Sequence, residues 1–461
     1  MTYGDDFTTN FKPNYSRTKK KQSFGRKIFT IRKPRDFDLT PEKEAVIYTL
    51  ENTNQNIFLT GKAGTGKSNF LKYFRATTNK NIVVLAFTGV AALNVQGQTI
   101  HSFFKFHPQT TIDGIYRKKD DDNEIYKELD LIIIDEISMV RADLMDFIDK
   151  FMRLNGKYPE EPFGGVQILA IGDLYQIPPI VGREEKRFFS EYYQSPYFFD
   201  SHSYQQANFV QKELTEMYRQ DQKAQNKFIK TLDNLRTCSF DQNDIDLINT
   251  RLEVNYQKPK GKFVISLVPT NSKAEEINSF ELDKLKVPGQ VYKGTISGKF
   301  PEKNLPTAKR LVIKKGAQVM LLNNDPEGKW VNGDIVKVMR TSYDYVRVLF
   351  DDGRLEDIRA IKRDSIRFIF DEEAQTVEPE IIGSFTQLPI KLAWAVTIHK
   401  GQGKTFDQVH LDFGTGIFAS GQAYVALSRC RTLEGMTLTS PLKSDYIFTD
   451  KRIREFMNSN A

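Results

Sequence analysis

Short apolar runs, each closed by a glycine-rich or acidic turn, punctuate the first half of the chain. The first opens at Ile57 in IFLTGKAGTGKS, passes Gly61, Gly64 and Gly66, and reaches Lys67 and Ser68. The following SNFLKYFRATT has helical spacing, so the order is strand, glycine turn, helix. A second run, Leu131 to Ile134 in DLIIIDEISMV, is apolar throughout, as a strand covered on both faces must be, and ends at Asp135 and Glu136. A third, VQILAIGD, leads into LYQIPPI, where Pro178 and Pro179 force an extended exit just after Gln176. From about Lys299 to Glu380 the period changes to two: RLVIKKGAQVMLLNN, DIVKVMR, YVRVLFDDGRLEDI and SIRFIFDEEA alternate apolar and polar residues between turn signals such as DPEGKWVNGD. That pattern predicts a small antiparallel barrel.

At 461 residues the chain exceeds one ordinary core, so two to four domains are expected. Its 39% hydrophobic and 12% aromatic content suits globular packing. No apolar run approaches the roughly 18 to 20 residues that cross a bilayer, which predicts a soluble protein with no membrane partner. Cys238 and Cys430 stand far apart, and the five histidines do not cluster, so neither a disulfide framework nor a zinc site is expected. A reducing, cytoplasmic location follows, nucleoid-associated if the source is bacterial. The amino terminus has no apolar core of a secretory signal, and Asp5 and Asp6 count against a transit peptide. The net charge of +7 favours a polyanionic partner. It is uneven: residues 12–35 carry ten Lys or Arg and no acid, among Tyr15, Phe24 and Phe29, and read as a basic flexible arm that either touches phosphates or is merely solvated.

The pattern G-x-x-x-x-G-K-[ST] is met by Gly61, Gly66, Lys67 and Ser68 in its required context. Backbone N–H groups over Gly61, Ala63, Gly64, Thr65 and Gly66 would wrap a triphosphate, Lys67 would bridge the outer phosphates, and Ser68 would ligate magnesium. Asp135, closing the apolar strand beside that loop, would hold the same Mg2+ through water, and Glu136 would orient or deprotonate the attacking water. Gln176 is placed to report the terminal phosphate; an idle surface glutamine is the alternative.

In order along the chain, GKAGTGKS, AFTGVAALNVQGQTIHSFF, IIIDEIS, AIGDLYQIPPI, LTEMYRQ, LAWAVTIHKGQGKTFDQV and YVALSRCRTLEGM resemble the successive motifs of superfamily 1B DNA helicases. The resemblance is to the Pif (petite integration frequency) family, related to the RecD helicases, and LMDFIDKFMRLNG is similar to the signature of that branch. It implies an α/β fold of two RecA-like P-loop domains with parallel sheets. A small insertion is expected in the first domain and an SH3-like β-barrel insertion in the second. The expected boundaries are 1–38 for the arm and 39–206 for the first domain, with an insertion over about 98–124. The second domain takes 207–298 and 381–461, and the barrel takes 299–380. The resemblance further implies that Arg219 and Arg429 reach across the cleft to the γ-phosphate, and that Gln402 and Gly403 of HKGQGKTF touch nucleotide. Lys43 stands where the family places a glutamine that reads adenine. An ammonium only donates, so base selectivity is in question.

For nucleic acid, TGVAALNVQGQTIHSFFKFHP offers Thr88, Gly89, Thr99, His101 and Ser102 for phosphates, with Phe104 and its neighbours Phe103 and Phe106 as stacking rings or, for any one of them, core. Thr397, His399 and Lys400 complete the expected strand contacts. The charged tip RKKDDDNE reads as a wedge at a duplex junction or a plain surface loop. The expected activity is that of an ATP-driven, monomeric motor on single-stranded DNA and duplex junctions, with quadruplexes and forks among the substrates the resemblance allows; its 5′ to 3′ polarity is implied by resemblance alone. An RNA helicase of the same superfamily and a nucleotide-dependent binding switch that does not travel are the competing readings.

Overall fold

The computed structural model describes residues 33–34, 37–107, 110–118, 124–216, 223–256, 262–413 and 419–459. Most of the basic arm, Arg219 and the middle of the charged tip therefore lie outside the described residues.

The apolar runs become the inner strands of a parallel sheet. Strands β1 (Ile57–Gly61), β2 (Ile82–Ala86), β3 (Gln98–Thr99), β4 (Leu131–Asp135), β5 (Gln167–Ile171) and β6 (Val210–Leu214) pair in the order β3-β2-β4-β5-β1-β6. β4 pairs parallel with both β2 and β5, and Leu131 to Ile134 are fully buried, as uninterrupted apolarity demands. Helices cover both faces, including Lys67–Thr77 and Ala142–Asn155.

A second parallel sheet begins with β7 (Ile265–Val268) and is then interrupted by antiparallel strands. These are β8 (Gly289–Lys293), β9 (Thr295–Gly298), β10 (Arg310–Lys314), β11 (Gln318–Leu321), β12 (Ile335–Thr341), β13 (Tyr345–Leu349), β14 (Leu355–Arg359), β15 (Ile361–Asp371), β16 (Thr376–Gln387) and β17 (Ile390–Leu392). Afterwards β18 (Ala395–Thr397), β19 (Val409–Leu411) and β20 (Met436–Leu438) complete the parallel sheet in the order β18-β7-β19-β20.

The period-two texture resolves into a five-stranded sheet, β14-β13-β12-β11-β17, whose alternate residues Val336, Val338, Val346 and Val348 fill one core. The antiparallel region extends beyond 299–380 on both sides. Its longest hairpin, β15–β16, leaves that core and docks on the first lobe. The Phe368 N–H donates to Gln98 Oε1 at 3.2 Å and its ring meets Phe103 edge-on at 6.4 Å, while the Val377 N–H donates to Asn81 Oδ1 at 3.0 Å.

Two other segments depart from expectation. Gln98 and Thr99 form the edge strand β3, so the pattern breaks only after the short helix Ile100–Phe104, not at Gln98. The last helix, Lys451–Ser459, expected with the second domain, packs Ile453, Phe456 and Met457 into the first lobe's core, and Phe456 stacks on Phe199 at 4.1 Å. An apolar stripe gives a helix its buried face without saying which lobe it meets.

Candidate functional site

The glycine turn after β1 is dictated by space. Gly61 has φ +152° and a Cβ there would lie 2.6 Å from the Leu214 carbonyl oxygen. Gly66 caps the helix Lys67–Thr77 from a left-handed conformation, φ 84°. Ala63, Gly64, Thr65 and Ser68 complete the loop and the helix start, as the sequence predicts. Lys67 curls back, its Nζ donating to the Gly61 and Lys62 carbonyls at 2.5 and 3.1 Å. Burial lowers its pKa, while Asp173 and Glu136 oppose the shift.

Facing it, at the end of β4, Asp135 is pushed up to about 7, first by burial and then by Glu136. Glu136 is raised by burial, against the pull of Lys67 and Arg429. It is held at φ 52°, a conformation a non-glycine side chain rarely adopts and one that clusters at working sites. Asp135 and Glu136 are two desolvated carboxylates at the end of β4, a pair of hard oxygen donors of the kind that suits a magnesium ion.

The second lobe reaches over this loop. Gln402 Nε2 donates to Gln176 Oε1 at 2.9 Å and to Glu136 Oε2 at 3.2 Å. Gln176 is itself buried and donates to Asp173 Oδ2 at 3.2 Å, so it is no idle surface residue. Gly403 follows at φ 73° with nothing within 4 Å of a would-be Cβ. Arg429 is 1% exposed, and its guanidinium donates to the Val425 and Lys404 carbonyls and to Ser428 Oγ at 2.8, 3.1 and 2.7 Å. Its charge is felt by Glu136.

Sequence reasoning missed three members of this cleft: Asp173, which follows β5, and Asp233 and Arg236 on the helix Lys223–Thr237. Arg236 donates to Asp173 Oδ1 at 3.0 Å, and Asp233 pairs with Lys62 of the phosphate loop at 2.8 Å. Only Asp173 carried a signal, as the acid closing the VQILAIGD run. The other two sit in an ordinary amphipathic helix.

The expected strand contacts fall into two matched groups. Thr88 follows β2 and caps the helix Gly89–Asn94 by accepting from the Ala91 N–H at 3.1 Å. Thr397 ends β18 and caps Ile398–Gly401 by accepting from the Lys400 N–H at 3.2 Å. Thr99 caps the helix bearing His101, His399 is partly buried with its pKa lowered by burial, and Lys400 is exposed. Gly89 lies under Asn304, whose side chain occupies the space of a Cβ.

Phe104 is the correction. It is 1% exposed and packed among Phe103, Phe106, Tyr126 and Phe151, with Phe106 stacked at 5.3 Å, so its ring is closed to a base. The SFFKF spacing belongs to a short core helix. Lys43 is buried too; its Nζ donates to the Asp38 carbonyl at 2.7 Å and lies 5.0 Å from the Phe37 ring centroid.

The sequence profile of PIF1-like helicases matches residues 38–245. The chain is 30% identical to the ATP-dependent DNA helicase Pif1 of Bdellovibrio bacteriovorus over 87% of its own length and 88% of that protein's. The chain belongs to the Pif1 family of ATP-dependent DNA helicases. It spans 60% to 67% of the length of longer relatives from vertebrates, yeast and Psychrobacter. Among solved Pif1 structures, that of a Bacteroides species with ADP-AlF4 superposes with a TM-score of 0.84 at 33% identity, over 92% of this chain and 97% of that one. The same protein bound to single-stranded DNA matches at 0.64 and 34% identity over the same shares. The two-lobed architecture is therefore the Pif1 fold of two RecA-like domains.

Proposed function

We propose that this chain is an ATP-driven DNA helicase that moves 5′ to 3′ along single-stranded DNA and opens duplex at junctions. The observation that carries the reading is Gln402. One amide of the second lobe bonds both Glu136, beside the phosphate loop, and Gln176, so nucleotide chemistry in the first lobe is tied to the position of the second. ATP would lie on Gly61 to Ser68, with Lys67 on the outer phosphates and Glu136 orienting water. Arg429 and Arg219 would meet charge developing on the γ-phosphate, where such a finger accounts for about 10³ to 10⁵ in rate.

Ser68 and Asp135 would hold magnesium together with phosphate and water oxygens, since among the described residues no cluster of three or more acidic, histidine or cysteine side chains supplies a protein cage. The ion would supply charge neutralisation for the phosphates.

The strand would lie across Thr88, Gly89, Thr99 and His101 on one lobe and Thr397, His399 and Lys400 on the other. Both RecA-like sheets present the same device there, a threonine-capped short helix after a parallel strand, which suits a backbone held alternately by each lobe. The Bacteroides complexes with ADP-AlF4 and with single-stranded DNA support the pairing of ligands. With Lys43 where an adenine-reading glutamine is expected, the site would admit other triphosphates beside ATP, and the chain would act as a monomer.

Unwinding of duplexes with a 5′ or a 3′ single-stranded tail, with and without ATP, tests the proposal. ATP-dependent opening of the 5′-tailed duplex is expected. Opening of only the 3′-tailed duplex overturns the polarity, and strand-stimulated hydrolysis without opening indicates the non-travelling switch. Stronger stimulation by RNA than by DNA of the same sequence favours the RNA helicase.

A further inference from the structure

We propose that Arg236 is a positioning residue for hydrolysis: from the second lobe it fixes Asp173, and through Asp173 it aims Gln176 at the terminal phosphate. The inference rests on the reading of the cleft as an ATP site and adds a residue to it. Helix Lys223–Thr237 belongs to the second lobe, where Phe228 and Leu235 join the core of Ile265, Leu267 and Leu411. Its Arg236 nevertheless leaves that lobe. The guanidinium donates to Asp173 Oδ1 at 3.0 Å from Nη2 and at 3.3 Å from Nε, and it lies 4.5 Å from the centroid of the Tyr175 ring. The side chains of Arg236 and Asp173 are 4% and 0% exposed.

Three features give the pair more than a structural role. Asp173 Oδ2 accepts from Gln176 Nε2 at 3.2 Å and from Arg236 Nε at 3.4 Å, while the Tyr175 N–H donates to Oδ1. That bond turns the Gln176 carboxamide so that its oxygen faces Gln402 at 2.9 Å. A continuous set of hydrogen bonds therefore runs from Arg236 through Asp173, Gln176 and Gln402 to Glu136, and it crosses between the lobes three times.

Next, Arg236 has a companion on the same face of its helix, one turn back. Asp233 holds Lys62 of the phosphate loop at 2.8 Å. Both side chains of that pair are 35% exposed, so solvent screens it and its own contribution is small; the buried pair dominates. One helix thus grips the two first-lobe segments that would flank a bound triphosphate.

Finally, the backbone beside Gln176 has no slack. A Cβ on Gly421 of the second lobe would sit 2.3 Å from the Tyr175 carbonyl oxygen and 2.7 Å from that of Gln176. With its backbone so confined, the Gln176 side chain takes its direction from Asp173. Lysine does not replace arginine here, because only the planar fork donates from two nitrogens while lying over the ring.

Steady-state ATPase with saturating single-stranded DNA, on the purified 461-residue chain, tests this. Arg236→Met should lower kcat by about 10- to 100-fold, the usual effect of losing a group that orients a working residue, with KM for ATP changed less than about threefold. Because Arg236→Met strands a buried carboxylate, thermal melting is read alongside, and the double variant Arg236→Met/Asp173→Asn removes that charge. The double variant should regain the melting temperature and not kcat. Recovery of kcat, or a normal kcat in Arg236→Met, overturns the proposal. Should Arg236→Met melt below the assay temperature, Arg236→Lys decides: a kcat reduced at least about fivefold is expected, and a wild-type kcat overturns it. Wild-type protein without strand-stimulated ATPase would instead remove the underlying function, which separates the two failures.

Discussion

Gln402 donates from one amide nitrogen to Glu136 at 3.2 Å and to Gln176 at 2.9 Å, so a single side chain of the second lobe satisfies two groups of the first. Glutamate is nearly isosteric but accepts where glutamine donates, and it would add a further carboxylate against Glu136, which already faces Asp135. Gln402→Glu is expected to lower strand-stimulated ATPase kcat about tenfold or more, with duplex opening falling in step. Steady-state kinetics at saturating ATP measures it. A wild-type kcat would mean that the contact between the lobes is idle in turnover.

Phe104 separates a packing role from a binding role. Its ring is enclosed by Phe103, Phe106, Tyr126 and Phe151. Phe104→Ala should therefore cost about 3 to 5 kcal/mol of stability through the cavity it leaves. At a temperature where the variant stays folded, its affinity for single-stranded DNA should match the wild type within about twofold. A large loss of affinity at unchanged melting temperature would restore the ring to the strand-binding surface.

What could be read in advance follows from how local each signal is. The apolar run before Asp135 and the glycines at 61, 64 and 66 encode their own geometry, because a strand buried on both faces and a left-handed turn each leave a compositional mark. Gln176 and Gln402 were found because they stand in motifs. Asp233 and Arg236 left no mark: their roles arise from docking one helix across a cleft, and a charged pair on a helix is ordinarily a solvated face. Phe104 was misread for the converse reason, since an aromatic beside phosphate-binding threonines looks alike whether it faces a base or the core. The excursion of β15–β16 to Gln98 and Phe103 was equally closed, because alternation sets a strand's two faces and not the partner each face meets.

Two glycines with similar backbone angles distinguish crowding from conformation. Gly421 has φ +70° and its would-be Cβ overlaps the Tyr175 carbonyl, whereas Gly353 has φ +87° with nothing within 4 Å. Gly353→Ala should cost about 1 kcal/mol, the penalty of a left-handed alanine. Gly421→Ala should cost about 1 to 3 kcal/mol more and reduce strand-stimulated ATPase, because the overlap pushes the lobes apart beside Gln176. Equal melting losses in the two variants would sink the argument for close approach.

Lys404 makes stability depend on pH in an unusual direction. Its Nζ donates to Asn332 Oδ1 at 2.5 Å, and among the described residues it meets no carboxylate. Burial, then Lys391 and Arg363, push its pKa down from 10.5 to about 7. Below about pH 7 the ammonium is charged in both folded and unfolded chains, and the folded state bears the full desolvation cost. Between about 7 and 10.5 the unfolded chain holds the proton and the folded one has released it, so raising the pH relieves the cost and stability rises. The limiting slope is about 1.4 kcal/mol per pH unit for one such group. Lys404→Met keeps the stem and removes the titration. It should be more stable than wild type at pH 7, with the gap closing as pH rises toward 10. Denaturant unfolding of both proteins across that range measures the difference, which cancels every group the variant leaves unchanged. A gap that stays constant with pH would place the proton on Lys404 in the folded state throughout.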